Sequence, residues 1–394
     1  MADQLLTTAD VAQRLRIKPE TVYAYVSRGL LTRIKVAGER TSLFRLADVE
    51  RLAARTQATK PDREAPGMQT AVTLIAYGRL HYRGRDAVGL AENTPFERVA
   101  ELLWAQETGP WTAPAETIRR AHEASMHLPP QARLFDRIPV IVAVAAAMDP
   151  LRFDLSPATV AACAPGLLAT MVDALPPYAE PADETLAARL WSRLTAVSPT
   201  PAGLHALNAA LVLLADHDLA ASTIAVRVAA STRAHPYAAV SAGLGALDGP
   251  MHGAVGAIVY RMLETAMRDG AATAVAEQLR VGSRLPGFGH ALYPDGDPRG
   301  ATLLKLVREQ PVSPRLLRAV DEVPAIANRR GDAYPNCDFG LAALAHAAGM
   351  GVDAPEVIFT VARTAGWLAH IMEEYAQPPH RFRWRSGYTG PPPG

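Results

Sequence analysis

The segment LPGFGHALYPDGDPR at residues 285–299 carries the most weight for the fold of this 394-residue chain. Its GFG element at 287–289 could expose backbone N–H groups to a nucleotide-bearing ligand. The element is not a full dinucleotide-binding fingerprint and follows no clear strand, so the segment argues against a Rossmann domain. His290 follows the second glycine, and Arg299 could offer a planar guanidinium group to a carboxylate.

Two more polar segments place a histidine or a carboxylate beside Gly or Pro residues: GPMHG at 249–253 and PNCDF at 335–339. Gly253 lets the backbone approach a ligand, and a place at a helix N-terminus would leave His252 as a neutral donor. Asp338 precedes an apolar run, so its carboxylate could cap a helix, act in catalysis, or do both. Two histidines and one carboxylate could deprotonate a carbon acid and stabilise the enolate, so an enzyme is the leading prediction.

Composition favours helices packed on helices. The chain is 49% hydrophobic with only 6% aromatic residues, which indicates a mainly α fold, and its length indicates two or three domains. Cys163 and Cys337 match no metal-binding or redox spacing, which predicts a reduced, cytoplasmic protein without a metal site. No signal-peptide pattern begins the chain, and apolar stretches such as 140–148 are too short to span a membrane.

The first sixty residues differ in charge from the rest. Through Lys60 there are eleven Lys or Arg against six Asp or Glu, a net charge of +5, whereas the whole chain has +1. Such a segment favours a polyanionic partner, although it is also compatible with a solvated surface. Its pattern predicts a helix over 8–15, a second helix from Lys18-Pro19 to Gly29, a hairpin of the β-prone segments 34–36 and 43–45, and a further helix from Leu46.

This order resembles the winged helix-turn-helix head of the MerR and excisionase-like families over about Gln4 to Ala54. The resemblance implies a domain at 1–55, and the polar stretch after it predicts a linker at 56–68. In such heads the second helix enters the major groove of double-stranded DNA, which is a candidate partner. The residues that would contact the groove or the phosphates are Lys18, Thr21, Tyr23, Tyr25, Arg28 and Arg40. The alternatives are a solvated basic surface or an assembly module.

From Gln69 onward the chain is a series of helical patterns separated by prolines, with no fixed-period repeat. The predicted helices are 97–103, 116–127, 140–148, 158–174, 184–194, 204–215 and 220–232. The segment 69–394 is therefore predicted to be the main, helical part of the molecule.

Short patterns in this part of the chain resemble the citrate synthase family, in family order, from about Tyr77 to Gly390. They are HYRGRD at 81–86, ADHD at 215–218, PYAAVSAG at 236–243, the three polar segments above, VARTAGW at 361–367, RWR at 383–385 and YTG at 388–390. The resemblance implies an all-α body over 69–394 with a small domain at about 252–338, and an active site in the cleft between the large and small domains. It also implies a homodimer with shared active sites.

The resemblance further implies roles for individual residues in condensing acetyl-CoA with oxaloacetate. Asp338 matches the carboxylate that removes a methyl proton from acetyl-CoA, and His252 matches the histidine that hydrogen-bonds the thioester enolate. His290 matches the histidine that polarises the ketone of oxaloacetate. The residues that match binders of oxaloacetate are His217, Arg299, Arg363 and Arg383, the last reaching the site from the second subunit. The residues that match the coenzyme A contact region are Leu285, Gly287, Phe288 and Gly289.

Citrate synthesis is the implied activity, with acetyl-CoA as cosubstrate and no permanently bound cofactor. Two alternatives stay open. A 2-methylcitrate synthase would use propionyl-CoA, and one extra methylene discriminates by only about 1–3 kcal/mol. A metabolite-sensing transcription regulator would bind the same ligands without useful turnover, but the retained Asp338 carboxylate argues against it, because binding alone needs no base.

Overall fold

The computed structural model describes residues 5–15, 19–27, 29–34, 42–46, 48–50, 52, 68–250, 252–282, 284–330, 334–383, 387 and 389–390. The chain divides into two compact units, Met1–Gln69 and Thr70–Gly394, which we call the head and the body. Residues 53–67 lie outside the described residues. The linker at 56–68 and the domain boundaries 1–55 and 69–394 therefore stay predictions.

The head contains two helices and a two-stranded sheet: β1 (Leu5–Thr7), α1 (Thr8–Leu15), α2 (Pro19–Ser27) and β2 (Leu43–Arg45). Residues 46, 48–50 and 52 are also helical. Thr7 caps α1, since its hydroxyl oxygen accepts from the Asp10 N–H at 3.3 Å. The core of the head consists of Val11, Ala12, Val22, Leu31, Phe44, Val49 and Leu52.

The strand pairing of the head agrees only partly with the sequence prediction, whereas both helices agree with it. α2 ends before Gly29, whose φ of +69° suits a glycine. Ile34 pairs with Leu43 in an antiparallel bridge, as the predicted hairpin requires, but residues 35–41 lie outside the described residues. β2 also pairs antiparallel with β1. The sequence did not predict this pairing, because three residues are too few to show an alternating pattern.

Helices make up most of the body. They are α3 (Ala87–Asn93), α4 (Phe96–Trp104), α5 (Ala115–Met126), α6 (Leu134–Met148), α7 (Pro157–Asp173), α8 (Leu186–Leu194), α9 (Pro201–Leu214), α10 (Ala221–Ser231), α11 (Pro236–Leu247), α12 (Val255–Asp269), α13 (Ala271–Val281), α14 (Pro298–Arg308), α15 (Pro314–Arg329), α16 (Cys337–Ala347) and α17 (Ala354–Tyr375). The predicted mainly α fold is confirmed. In the described part of the chain, no helix combines the length and the apolar character needed to cross a membrane.

The helix α6 begins earlier than the sequence predicts because it runs through Pro139. A proline in a helix interior removes one backbone hydrogen bond and usually ends or kinks the helix. The start of α6 is fixed by Asp136, whose carboxylate accepts from the Arg133 N–H at 2.9 Å, and Phe135 and Ile138 are buried in the core. Capping and packing therefore outweigh the local preference of proline.

A small antiparallel sheet, which the sequence analysis missed, precedes the helices of the body. Its strands are β3 (Thr73–Ala76), β4 (Arg79–Tyr82) and β5 (Arg85–Asp86), in that order. Tyr77 and Gly78 join the first two strands with φ values of +54° and +70°, as a two-residue hairpin requires. The Tyr82 hydroxyl donates to the Val212 carbonyl oxygen at 2.9 Å. The sheet thereby supports the end of α9, just before His217.

The helix α17 lies in the centre of the body, and almost all of its 22 residues are buried. A helix that is buried on all sides needs partners on all sides, and α17 packs against α4, α7, α9, α10 and α11. At Gly366 the backbone of α17 approaches the segment after α9, and the Gly366 N–H donates to the Ala215 carbonyl oxygen at 3.0 Å. A Cβ at Gly366 would also collide with Asp216. This contact fixes the chain next to His217.

The helices α14 and α16 approach each other closely near their N-termini because glycines lie at the contact. A Cβ added at Gly300 would lie 2.5 Å from the Asn336 carbonyl oxygen, and one at Gly340 would lie 2.8 Å from a side-chain atom of α14. Only glycine fits such an approach. The contact brings Arg299, at the start of α14, close to Asp338, at the start of α16.

Candidate active site

A cleft of about 750 Å³ in the body contains most of the site residues that the sequence predicts. Its size is that of a small-molecule binding site. The predicted residues that line it are His217, His252, Leu285, Gly287, Phe288, His290, Arg299, Asp338 and Arg363. Segments that are far apart in the sequence thus meet in one cleft.

Asp338 lies in the first turn of α16 and is half-buried. The cap of this helix is Asn336, whose side-chain oxygen accepts from the Asp338 N–H at 2.9 Å and from the Phe339 N–H at 3.4 Å. Asp338 is therefore not the cap, and its carboxylate has no hydrogen-bond partner among the described residues. Burial raises the pKa of this carboxyl group to about 6. Asp338 is thus a stronger base than an exposed aspartate.

His252 lies between α11 and α12 and is hydrogen-bonded to the buried Ser222 of α10, with 2.8 Å between Nε2 and Oγ. Burial, and then the positive charge of Arg363, lower the pKa of this imidazole to about 4, so the ring is neutral near pH 7. With the Ser222 hydroxyl as the donor to Nε2, the ring carries its proton on Nδ1. The arrangement can present a neutral N–H donor to the cleft.

His290 lies in the loop before α14 and is half-buried. Its Nδ1 accepts from the Leu292 N–H at 3.2 Å, so a neutral ring carries its proton on Nε2. Burial, and then the positive charge of Arg299, lower the pKa of His290. His290 is therefore a second neutral N–H donor in the cleft.

Residues 284–289, which we call the glycine loop, form one wall of the cleft. The loop pairs with the segment before α16 through an antiparallel bridge between Phe288 and Pro335. Gly287 and Gly289 have φ values of +81° and +74°, which glycine adopts without strain. The backbone pairing holds the loop beside the start of α16.

The sequence predicts that the backbone of Gly289 is open to a ligand, but the structure shows its backbone groups hydrogen-bonded within the protein. Its N–H donates to the Tyr334 carbonyl oxygen at 2.8 Å, and its own carbonyl oxygen accepts from the Asn336 side chain at 3.2 Å. Gly289 does not line the cleft, whereas the other three predicted residues of the loop do. Arg284, which is exposed, also lines the cleft, and no sequence pattern singled it out.

His217 follows α9 and is buried. Its Nε2 lies 3.0 Å from the hydroxyl oxygen of Tyr293, and its ring centroid lies 4.8 Å from that of His290. Burial, and then the positive charges of Arg299 and Arg363, hold the pKa of His217 well below its usual value. All three histidines of the cleft are therefore neutral.

Two of the three arginines that line the cleft, Arg299 and Arg363, are buried, but they are held differently. Arg299 forms a bidentate ion pair with Asp297, with Nε at 3.0 Å and Nη2 at 2.9 Å from the carboxylate oxygens. Arg363 donates from Nε to the Leu214 carbonyl oxygen at 3.0 Å, and no carboxylate pairs with it among the described residues. A buried cation without a carboxylate partner favours an anionic ligand.

Comparison with known proteins assigns the chain to a family. Residues 62–385 match the family described as Citrate synthase, C-terminal domain. The chain belongs to the citrate synthase family. Residues 5–57 match a second family, described as Helix-turn-helix domain. The protein therefore joins a helix-turn-helix head to a citrate synthase body.

The relatives of this citrate synthase family member include proteins named citrate synthase and proteins named 2-methylcitrate synthase. Citrate synthase 2 from Bacillus subtilis (strain 168) is 31% identical over 353 residues, which cover 82% of this chain and 93% of the relative. The protein 2-methylcitrate synthase 2 from Corynebacterium glutamicum is 29% identical over 325 residues, which cover 75% of this chain and 85% of the relative. The comparisons thus show the family without showing which acyl-CoA is the substrate.

A solved structure agrees with the fold. The citrate synthase from the thermophilic archaeon Thermoplasma acidophilum, in a ternary complex with carboxymethyl coenzyme A and oxaloacetate, matches with a TM-score of 0.69 and 23% sequence identity. The match covers 84% of this chain and 96% of that one. At this identity the likeness shows the citrate synthase fold alone.

The sequence analysis assigned no role to four residues of the citrate synthase body that contact the predicted groups, namely Ser222, Tyr293, Asp297 and Asn336. It also missed Arg284, which lines the same cleft. Their contacts depend on the fold, and only the DPR pattern at 297–299 gave a local signal. Arg383 is exposed and does not line the cleft of its own chain. Within the described residues, no group of three or more His, Cys, Asp or Glu side chains could hold a metal ion.

In the head, the structure describes three of the six residues that the sequence predicts to contact DNA. Of the six residues predicted to contact DNA, Tyr23 is 50% exposed, Thr21 is half-buried, and Tyr25 packs against the core of the head. The other three, Lys18, Arg28 and Arg40, lie outside the described residues. Tyr23 is therefore the described side chain of this set that is most open to a partner.

Proposed function

We propose that this protein condenses acetyl-CoA with oxaloacetate and releases citrate and CoA. The observation that carries the proposal is the Asp338 carboxylate, which has a pKa raised to about 6 and lines one cleft with the neutral rings of His252 and His290. Proton abstraction from carbon needs both a base and a donor for the developing oxyanion. The resemblance to a citrate synthase solved with oxaloacetate and a coenzyme A analogue supports the choice of ligands.

In the first step, Asp338 takes a proton from the acetyl methyl group, and the electron pair moves onto the thioester oxygen. The Nδ1–H of His252, whose Nε2 is bonded to Ser222, donates to this enolate oxygen. Because the His252 pKa is lowered to about 4, the ring donates without carrying a charge. In other enzymes the loss of one such donor costs about 2.7–4 kcal/mol.

In the second step, the enolate carbon attacks the ketone carbon of oxaloacetate. The ketone oxygen becomes an alkoxide, which accepts a hydrogen bond from the Nε2–H of His290. The proton that Asp338 took from the methyl group then passes to this oxygen, so that the Asp338 carboxylate and the neutral His290 ring are both restored. Water then cleaves the thioester bond of the citryl-CoA intermediate. Oxaloacetate carries two carboxylates, and the buried Arg299 and Arg363 supply the positive charge that such a ligand needs in a dry cleft.

The acyl-CoA is proposed to bind along the glycine loop. Leu285, Gly287 and Phe288 line the cleft there and offer apolar surface and backbone groups. Arg284 is exposed at the same wall, so its guanidinium could pair with a phosphate group of coenzyme A. The ketoacid and the coenzyme would then occupy different parts of the same cleft.

The test is a thiol-release assay with purified protein, oxaloacetate and acetyl-CoA. Release of CoA that depends on both substrates, with citrate as the product, would support the proposal. The matched control is Asp338→Asn, which keeps the size and shape of the side chain but removes the base. Release at the same low rate by both proteins would contradict an enzymatic function and favour a protein that only binds these ligands.

The choice between acetyl-CoA and propionyl-CoA needs its own measurement. The relative named 2-methylcitrate synthase 2 keeps propionyl-CoA as the second candidate, since one methylene in a pocket is worth only about 1–3 kcal/mol. The assay should therefore compare kcat/KM for the two thioesters in parallel. A ratio above tenfold in favour of propionyl-CoA would replace citrate by 2-methylcitrate as the proposed product.

We also propose a homodimer in which Arg383 completes the ketoacid site of the partner subunit. The exposed position of Arg383 outside the cleft of its own chain is compatible with this role. Mixing inactive Arg383→Ala chains with inactive Asp338→Asn chains should restore part of the activity, because a hybrid dimer then contains one intact site. The absence of recovery after verified subunit exchange would contradict a shared site.

For the head we propose binding to double-stranded DNA. The match of residues 5–57 to a helix-turn-helix family and the net charge of +5 through Lys60 support this proposal. A dimer would present two heads to a two-fold symmetric site. Affinity for duplex DNA should fall steeply as salt rises, because phosphate contacts release counterions. Failure to select any duplex from a random library at low salt would favour an assembly role.

A further inference from the structure

Tyr293 lies where three groups of the proposed ketoacid site meet. It is buried, with 2% of its surface exposed, and its hydroxyl oxygen lies 3.0 Å from Nε2 of His217. Its ring centroid lies 5.2 Å from the ring of His290 and 5.3 Å from the guanidinium carbon of Arg299. No sequence pattern assigned a role to this residue, although it contacts one predicted site residue by a hydrogen bond and two more through its ring.

The hydrogen bond between Tyr293 and His217 can form in two ways, because a neutral imidazole carries only one proton. Both groups are neutral: burial lowers the pKa of His217 and raises that of the Tyr293 hydroxyl. Among the described residues, neither the Tyr293 hydroxyl nor Nδ1 of His217 has another hydrogen-bond partner. The direction of this one bond therefore decides what His217 offers to the cleft.

One direction fits an anionic ligand and the other does not. If Nε2–H donated to the tyrosine oxygen, Nδ1 would be a bare acceptor, and a carboxylate or ketone oxygen could not bond to it. If the Tyr293 hydroxyl donates to Nε2, the imidazole proton lies on Nδ1 and can be donated to an oxygen of the ligand. The cleft that contains Arg299 and Arg363 is suited to a dicarboxylate, and this ligand requires the second direction.

We propose that Tyr293 is a positioning residue for ketoacid binding, whose hydroxyl donates to Nε2 of His217 and keeps the imidazole proton on Nδ1. The inference rests on the proposed function, since it assigns a 2-oxo dicarboxylate to this part of the cleft. Tyr293 acts through His217 and is not itself a catalytic residue. Its ring also covers His290 and Arg299, so the hydroxyl and the ring have separate roles.

The variant that tests the hydroxyl alone is Tyr293→Phe, which keeps the ring. We expect the KM for oxaloacetate to rise by about threefold to tenfold, as the loss of one positioned neutral hydrogen bond predicts. The KM for acyl-CoA should change by less than twofold. The matched control is Tyr375→Phe, which removes a hydroxyl that donates to the Ala234 carbonyl oxygen away from the cleft and should leave both KM values unchanged. An unchanged oxaloacetate KM in Tyr293→Phe would overturn the proposal.

A second measurement does not depend on turnover. In protein labelled with ¹⁵N-histidine, the nitrogen shifts distinguish the two neutral tautomers, and His217→Gln identifies the His217 signals. We expect Nδ1–H in the unmodified protein and a shift towards Nε2–H in Tyr293→Phe. Nε2–H in the unmodified protein would overturn the proposal even if Tyr293→Phe failed to fold. An enzyme that releases no CoA but shows Nδ1–H at His217 would contradict the proposed function and leave the tautomer assignment standing.

Discussion

Two parts of the cleft are built by different means. The first, which we call the charged pocket, consists of the side chains of His217, Arg299, Asp338 and Arg363, which come from four separate segments of the chain. The second is the glycine loop, a single stretch whose shape depends on positive φ values at two glycines. The charged pocket is thus defined by side-chain chemistry, and the glycine loop is defined by backbone conformation.

This difference indicates how each part responds to substitution. The buried groups of the charged pocket shift one another's pKa values, as the effects of Arg299 and Arg363 on His217 show, so a change there should alter chemistry or ketoacid binding. The backbone of the glycine loop is fixed by pairing with the segment before α16. A change there should alter acyl-CoA binding first and the chemical step little.

The largest effect is expected for Asp338→Asn in the charged pocket. Removal of a general base typically costs a factor of about 10²–10⁴ in rate, so kcat should fall by this amount while the KM for oxaloacetate changes little.

In the unmodified enzyme, the rate should fall about tenfold for each pH unit below 6, because the pKa of Asp338 is about 6 and only the carboxylate acts as the base. A flat rate between pH 5 and 7 would exclude Asp338 as the base.

The thermal stability of Asp338→Asn serves as a control for this loss of activity. The pKa of Asp338 is raised from 3.8 to about 6 in the folded protein, so ionisation of this carboxyl disfavours the folded state. The cost is complete above pH 6 and absent below pH 4, and its upper limit is about 3 kcal/mol. Asp338→Asn should therefore be at least as stable as the unmodified protein at pH 8 in thermal unfolding. A lower Tm would mean that lost activity reports unfolding instead of a lost base.

A smaller effect, on binding, is expected for Arg363→Ala. Arg363 has no carboxylate partner among the described residues, so its removal leaves a ligand carboxylate unpaired in a buried site. The loss of about 2–3 kcal/mol corresponds to a rise of roughly 30-fold to 150-fold in the KM for oxaloacetate. The KM for acyl-CoA should rise much less. Arg363→Lys separates charge from geometry, because lysine keeps the positive charge but cannot form a planar pair.

The sequence could identify the members of the charged pocket but not the bonds between them. The patterns around His217, Arg299, Asp338 and Arg363 resembled a known family, and all four side chains line one cleft. The sequence could not show that Asn336 caps α16 and that the Asp338 carboxylate has no hydrogen-bond partner among the described residues. Nor could it show that Asp297 already occupies one edge of Arg299. Such pairings depend on distances between segments, which local patterns do not contain.

Local sequence patterns also predicted only part of the secondary structure. Long helical patterns predicted seven of the fifteen helices in the described part of the body, because an apolar face repeats over many residues. The strands of two to four residues at β3, β4 and β5 were missed, since such short strands carry no periodic signal. Pro139 led to an α6 that was too short, because the cap and the packing that keep the helix intact involve contacts outside the local sequence. Tertiary contacts decided each of these differences.

In the glycine loop, Gly287→Ala tests whether backbone shape controls acyl-CoA binding. The φ of Gly287 is +81°, and an added Cβ would lie 3.0 Å from a Val259 side-chain atom. Strain of about 1 kcal/mol or more should shift the loop and raise the KM for acyl-CoA by about fivefold, with a smaller effect on the KM for oxaloacetate. Gly78→Ala is the control, since its φ is +70° in a hairpin turn outside the cleft. Equal effects of the two variants would attribute the change to general destabilisation.

The smallest effect is expected for Arg284→Ala, which leaves the backbone of the glycine loop unchanged. Arg284 is exposed, so an ion pair with a phosphate of coenzyme A would be screened by solvent and worth about 1 kcal/mol or less. The KM for acetyl-CoA should rise by about twofold to fivefold at low salt and by less at high salt. Acetyl-pantetheine lacks the phosphates of coenzyme A, and its KM should not respond to the variant. The matched control is Arg280→Ala. Arg280 is an exposed arginine of α13 that does not line the cleft, so its removal should leave the KM for both thioesters unchanged. If Arg284→Ala raised the KM for both thioesters equally, Arg284 would act by supporting the glycine loop and not by pairing with a phosphate. The charged pocket and the glycine loop would then differ in their position in the cleft, and not in how side-chain charge contributes to binding.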